Sequence, residues 1–200
     1  MPNPVTISAA VEGIVDEAVV RRLIACAGGL PGPVYGKNGK PALLQKIKGY
    51  NNAAIREPWV VLVDLNSDAD CVPPLRQDWL PTPAPRLCFR VAVRQVEAWL
   101  MADAETLADY LGVGRHTIPA DPEALQNAKV EMVNLARRSR RSAIRQDMVP
   151  RPGSGRAVGP AYASRLIKYA ETCWRPEVAA RRADSLRRAI DCLKRLVEQA

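Results

Sequence analysis

Two acidic motifs carry the residue types most able to do chemistry. Glu12 and Asp16 stand four residues apart in Val-Glu-Gly-Ile-Val-Asp, and Asp-Leu-Asn-Ser-Asp-Ala-Asp supplies Asp64, Asn66, Asp68 and Asp70 at alternate positions. Oxygen ligands at such spacings can converge on one hard cation, and Mg²⁺ or Mn²⁺ prefers carboxylate, amide and water oxygens. Two ions roughly 4 Å apart can activate water and stabilise both oxygens of an in-line phosphodiester displacement. With a single ion, Glu12 can act as general acid or base. A third segment, Arg-Gln-Val-Glu-Ala-Trp-Leu-Met-Ala-Asp, holds Glu97 and, six residues on, Asp103. Glu97 reads either as a further metal ligand, or orienter of one, or as an acid favoured by the dipole at a helix start. Asp, Asn and Ser also favour plain solvated turns. Both motifs nevertheless fall at expected strand ends, where parallel α/β sheets place ligands, and that shared position points to a site.

Elimination supports the carboxylates. The five cysteines (Cys26, Cys71, Cys88, Cys173, Cys192) are odd in number, widely spaced and form no CxxC pair, and His116 is the only histidine. A Cys/His zinc site and a Ser-His-Asp or Cys-His centre are thereby excluded as the basis of hydrolysis. The cysteines are expected to be reduced and mostly buried, and His116 to lie on the surface. The stretch Gly-Pro-Val-Tyr-Gly-Lys-Asn-Gly-Lys fails the phosphate-loop pattern GxxxxGK[ST], since Asn38 follows Lys37 and no glycine stands at position 31. Lys37 and Lys40 are expected on a flexible surface loop, contact with a phosphate backbone being the other reading.

The elements that must position these residues alternate. Residues 5–10 read as a short strand running into the Glu12 turn, and residues 16–27 as a helix with Val19, Val20, Leu23 and Ile24 on one face, ended by Gly28-Gly29. After a Pro/Gly-rich connection, residues 41–48 read as a helix. The continuous apolar run of residues 59–64 reads as a parallel strand buried on both faces. A short helix over 74–79, a strand over 86–93 and a helix over 95–111 follow, with Trp99 and Leu100 facing inward. Strands alternating with helices imply right-handed βαβ units and a parallel sheet. Beyond residue 111 the pattern turns helical, over 122–145, 162–172 and 183–198, interrupted by the Pro/Gly/Arg-rich residues 149–160. In the last helix Leu186, Ile190, Leu193 and Val197 share a stripe.

The net charge of +8 is unevenly spread: residues 129–156 hold eight basic side chains against Glu131 and Asp147. A basic half attached to an acidic cluster fits a polyanion held beside a metal site, a solvated arginine-rich helix being the plain alternative. No apolar run approaches the roughly 20 residues that span a bilayer, and the first residues lack the pattern of a secretion signal. A cytoplasmic protein without a membrane partner is expected; the residues carry no signal for oligomeric state.

The Val-Glu-Gly turn with Glu12 and Asp16, followed by Val-Val-Leu-Val-Asp-Leu-Asn-Ser-Asp-Ala-Asp-Cys, resembles the Toprim (topoisomerase-primase) domain of topoisomerases, primases and overcoming-lysogenisation-defect nucleases. The blocks RVAVRQVEAWLMAD, QNAK around Lys129, SRRSAIRQDMVPRPG, VGPAYASRLIKYAETCW and SLRRA extend the likeness over nearly the whole chain, to one bacterial Toprim-like family. The resemblance implies an α/β fold with a four-stranded parallel sheet flanked by helices, spanning residues 1–111, and a basic helical extension over 112–200 packed on it. It implies Mg²⁺ or Mn²⁺ and phosphodiester chemistry on nucleic acid, that is, a nuclease. Glu12 matches the Toprim glutamate and Asp64 the first member of its DxD pair. Asn66 departs from the second member: an amide ligates without charge, so either affinity falls or Asp68 takes its place. The expected catalytic residues are Glu12, Asp64 and Glu97, and the expected metal ligands Glu12, Asp16, Asp64, Asn66 and Asp68. Nucleic acid is expected on Lys129, Arg137, Arg138, Arg140, Arg141 and Arg145. Relatives of this kind often act beside a partner ATPase in bacterial defence against phage or plasmids. The alternative function is a catalytically weak module that binds nucleic acid or recruits a partner. A phosphatase of another α/β family lacks its DxDxT pattern here.

Overall fold

A computed structural model describes residues 4–66, 68 and 72–199. The chain is α/β, with one four-stranded, all-parallel sheet flanked by helices. Its strands are β1 (Thr6–Val11), β2 (Leu30–Gly36), β3 (Trp59–Asp64) and β4 (Leu87–Ala92), in the order β2-β1-β3-β4. Helix α1 (Ile14–Cys26) joins β1 to β2, α2 (Lys40–Gln45) and α3 (Ile47–Ala53) join β2 to β3, and α4 (Val72–Trp79) joins β3 to β4. The remainder is helical: α5 (Val96–Ala102), α6 (Ala104–Leu111), α7 (Ala128–Arg137), α8 (Ser142–Met148), α9 (Tyr162–Thr172), α10 (Pro176–Ala179) and α11 (Asp184–Glu198).

Every residue of β3 is buried, as the unbroken apolar run implies for a strand covered on both faces. Side chains alternate across the sheet, so the core divides in two. Ile7, Val11, Val60, Leu62 and Cys88 face the layer of α1, α5, α9 and α11. Ala10, Val61, Val63, Phe89 and Val91 face Leu43, Ile47 and Leu75 on the other side. The first core is continuous from Ile7 through Trp99 and Trp174 to Leu196, so residues beyond 111 pack against the same sheet face as α1. Helix α11 lies along β4. Its buried stripe is Leu186, Ala189, Ile190, Leu193 and Leu196, with Val197 half-buried at its margin. No helix among the described residues is long and apolar enough to cross a membrane.

Three elements differ from the sequence reading. The Pro/Gly-rich connection after α1 contains β2, an edge strand, where Pro31 and Pro33 are tolerated because one side of the strand needs no ladder partner. Gly36 ends β2 against β1: its φ is +88° and a Cβ there would lie 2.2 Å from the Val11 carbonyl oxygen, so only glycine fits. The helix expected over 95–111 breaks at Asp103, and that expected over 122–145 is a short 3₁₀ turn followed by α7 and α8. Among the described cysteines only Cys88 is fully buried, while Cys26, Cys173 and Cys192 are half-buried; all four are free thiols. His116 is exposed, as expected.

Candidate functional site

Because β1, β3 and β4 are parallel and in register, with Val11 beside Leu62 and Asp64 beside Ala92, their carboxyl ends meet at one edge of the sheet. Glu12 follows β1 directly, Asp64 is the last residue of β3, Asp16 lies in the first turn of α1 and Glu97 in the first turn of α5. Gly13 makes the approach of Asp16 possible, since a Cβ at that position would lie 2.9 Å from Asp16 Oδ2. Asp16, Asp64 and Glu97 are buried, at 7%, 8% and 2% exposure, and Glu12 is half-buried. Carboxylates are almost never this buried without a partner.

The partners present are few. The Asp64 amide donates to Glu12 Oε1 (2.8 Å), and the Val96 amide donates to Asp64 Oδ1 (2.9 Å), which ties β1, β3 and α5 together through their acids. Tyr162 on α9 donates its hydroxyl to Glu97 Oε1 (3.2 Å), and Lys129 Nζ lies 3.8 Å from the same oxygen. Asp16 Oδ1 and Glu97 Oε2 are buried with no hydrogen-bond partner among the described residues. A cavity of about 270 Å³ opens between them, lined by Gly13, Asp16, Asp64, Glu97, Lys129 and Tyr162.

Electrostatics follow from this crowding. Burial, then the charges of Glu97 and Glu12, pushes the Asp16 carboxyl up to about 7. Burial, then Asp16, Glu97 and Glu12, holds Asp64 well above the usual carboxylate range. Glu12 is raised by burial in spite of the Asp64 amide and Lys40. Burial, and then the Glu97 charge, keeps the Tyr162 phenol protonated. Burial and the neighbouring acids thus raise the proton affinity of Asp16 and Asp64, yet among the described residues no three His, Cys, Asp or Glu side chains converge on one point as around a bound ion. The hydrogen bonds account for the second fact: an oxygen each of Glu12, Asp64 and Glu97 is turned to an amide or hydroxyl, which holds the carboxylates near but not around a common centre. The donors are all hard oxygens, and the two orphaned ones are already stripped of water, a combination that suits a divalent cation of the Mg²⁺ or Mn²⁺ kind.

The other expected site residues are placed differently. Asn66 has a positive φ of 51°, and its Oδ1 accepts from Gln95 Nε2 (3.0 Å), while Gln95 Oε1 accepts the Lys129 amide (2.9 Å). Asn66 therefore does not line the cavity; it ties the β3 turn to the start of α7. Asp68 is exposed and paired with Lys40 Nζ, which also bonds the Asp64 carbonyl and lies 3.8 Å from Glu12 Oε1. Asp70 and Cys71 lie outside the described residues. Lys40 is not on a free surface loop: Lys37 N bonds the Val11 carbonyl and Gly39 N the Glu12 carbonyl, which folds the segment back onto the end of β1. Lys37 itself pairs with Glu17 at 3.0 Å.

Of the expected nucleic-acid residues only Lys129 reaches the cavity. Arg137, the last residue of α7, stands eight residues further along, about 12 Å at the α-helical rise. Arg138, Arg140, Arg141 and Arg145 surround the following turn, exposed, with Arg141 and Arg145 bonding the Tyr110 and Ser139 carbonyls. Two other basic residues come nearer. Arg151 and Arg156 line a hollow whose wall, Val158, is also a wall of the acidic cavity. Asp103 is not part of the site. It is buried at the α5–α6 break and held by Arg175, whose Nη2 lies 2.8 Å from Oδ1 and whose Nε lies 3.0 Å from Oδ2.

Sequence reasoning missed Tyr162 and Gln95, and set Lys40 on a flexible loop where the structure holds it between Asp68 and Glu12. Tyr162 and Glu97 are 65 residues apart, and no motif links them. Comparison of the chain with family models, curated proteins and solved structures finds no match.

Proposed function

We propose that this chain is a Toprim-type, divalent-metal-dependent phosphodiester enzyme that cleaves nucleic acid. The observation that carries this reading is the meeting of Asp16, Asp64 and Glu97 in one cavity at the carboxyl edge of the sheet, with Glu12 bonded to the Asp64 amide beside it, and with buried oxygens of Asp16 and Glu97 that lack any partner among the described residues. Glu12, Asp16, Asp64 and Glu97 would hold Mg²⁺ or Mn²⁺, with Asp68 at the rim. The bound ion would supply the positive charge that stabilises developing charge on a phosphodiester. The Val96 amide fixes Asp64, the Tyr162 hydroxyl fixes Glu97, and the Lys129 ammonium at the cavity mouth attracts a phosphate. Arg151 and Arg156 extend that attraction along the polyanion. The free thiols accord with a cytoplasmic setting.

Incubating the protein with plasmid, single-stranded DNA and RNA, with Mg²⁺ or Mn²⁺, tests the proposal. Cleavage by the native chain is expected, abolished by Glu12→Gln and by Asp64→Asn. Cleavage by those variants at the native rate would sink it. One observation favours a second reading: the oxygen of Asn66 is engaged by Gln95, so the DxD pair lacks its second charged member. A binding module without turnover would bind nucleic acid with an affinity that falls steeply with salt, and would cleave nothing.

A further inference from the structure

The sheet has one long edge that no strand covers. In β4, the carbonyls of Arg86 and Ala92 accept from Trp59 and Leu65, so the even-numbered residues face β3 and the odd-numbered ones face outward. At the two ends the outward amides are closed: Leu87 N bonds the Ala84 carbonyl and Val93 N the Ser185 hydroxyl. Between them, the backbone groups of Phe89 and Val91 have no partner among the described residues. They lie on the floor of a groove of about 460 Å³ lined by Leu80, Pro83, Ser185 and Arg188, with Phe89 and Val91 themselves only 2% and 4% exposed.

Two guanidiniums straddle this edge. Arg76 lies over the Phe89 ring, 5.9 Å from its centroid, and Arg90 stands on the opposite face of the strand. The Nε of each is buried and without a hydrogen-bond partner, and neither has a carboxylate partner among the described residues; Arg90 faces only the thiols of Cys88 and Cys192. The acids in the groove are already engaged. Glu123 accepts from the amides of Asp184 and Ser185 and from the Ser185 hydroxyl, and Asp184 pairs with Arg187 and Arg188. The groove is therefore short of negative charge. Edge strands left open are usually blunted or covered, and here the shape and the unpaired donors suit an extended chain bearing carboxylates. A second copy of this chain is the wrong occupant, because antiparallel pairing of two β4 edges centred here would set Arg90 against Arg90.

We propose that the β4 edge at Phe89–Val91 is a docking site for an extended, acidic segment of a partner protein, which adds to the sheet as a fifth strand with its carboxylates on Arg76 and Arg90. The site is separate from the carboxylate cavity, so it stands or falls independently of the cleavage chemistry.

The probe is a labelled hexapeptide Val-Val-Glu-Glu-Val-Val, whose adjacent glutamates project to opposite faces of a strand, with a lysine-for-glutamate counterpart and a version N-methylated at alternate amides. Each is titrated into the full chain by fluorescence anisotropy and by amide NMR. The glutamate peptide is expected to saturate, shifting the Phe89 and Val91 amides and protecting them from exchange. Arg90→Gln or Arg76→Gln is expected to weaken it about tenfold, the scale of one charge-assisted hydrogen bond. The N-methylated peptide, which leaves the protein untouched, is expected not to bind. Equal binding of the lysine or N-methylated peptide, absence of binding, or shifts elsewhere than at β4 would overturn the proposal. So would a concentration-dependent dimer whose formation shifts the Phe89 and Val91 amides, since a second copy would then occupy the edge.

Discussion

Asp16 is the residue on which the site's electrostatics are easiest to test. Its carboxyl binds a proton more tightly in the folded chain, at about 7, than when unfolded, near 3.8. For an acid raised in this way, the contribution to stability is fully present below the unfolded value and is lost as pH rises through the folded one. Asp64 acts in the same direction. The metal-free chain is therefore expected to lose thermal stability between about pH 4 and pH 7, each 1 kcal/mol lowering its midpoint by roughly 2–4 °C. Asp16→Asn should flatten that dependence and melt higher than the native chain at the upper end. Mn²⁺ should restore the native chain there, since a ligand of the folded state stabilises it by mass action. Midpoints that rise with pH across this range in thermal melts without metal would contradict the account. The sequence made Glu12, Asp64 and Glu97 legible through strand-end position and motif. It did not reveal that Asn66 turns to Gln95, because an Asx side chain after a strand serves a ligand and a turn equally well.

At the scale of elements, legibility followed burial. Strand β3 is unmistakable because all six of its residues are buried. Strand β2 was not, because Pro31 and Pro33 mask an edge strand whose pairing is one-sided. The break between α5 and α6 was also hidden: apolar residues keep helical spacing through Trp99, Leu107 and Leu111, and the interruption depends on Arg175, 72 residues away from Asp103. That pair supplies a structural test. Arg175 holds the Asp103 carboxyl below its ordinary range in spite of burial, chiefly through hydrogen bonds. Arg175→Met leaves the Asp103 carboxylate without its cation and should destabilise the fold, read as a fall in the denaturant midpoint. An unchanged midpoint would mean that the α5–α6 corner is held by the tryptophan packing alone. Where Tyr162→Phe is compared with it, stability should change little, while cleavage falls because Glu97 loses the hydroxyl that orients it.

For the molecule as a whole, the net charge of +8 is a statement about polyanions, and the fold decides which cations matter. The arginine-rich residues 137–145 stood out in the sequence by density alone. Folding instead sets Lys129 in the acidic cavity and Arg151 and Arg156 in a neighbouring hollow that shares its Val158 wall, because α7 starts at the cavity and the loop before α9 returns to it. Replacing Arg151 and Arg156 by Gln should weaken nucleic-acid binding and lower the salt slope by about 2, near 1 for each lost phosphate contact. The same change at Arg137 and Arg138 should have the smaller effect, and the reverse order in filter binding across a salt series would move the polyanion to the far end of α7. The central claim, that four strand-end and helix-start carboxylates form one cation site, is tested most directly by anomalous diffraction from a crystal soaked in Mn²⁺. The account predicts a manganese peak in the cavity between Glu12, Asp16, Asp64 and Glu97, lost in the Asp64→Asn variant. A crystal with manganese bound elsewhere, and none in that cavity, would contradict it.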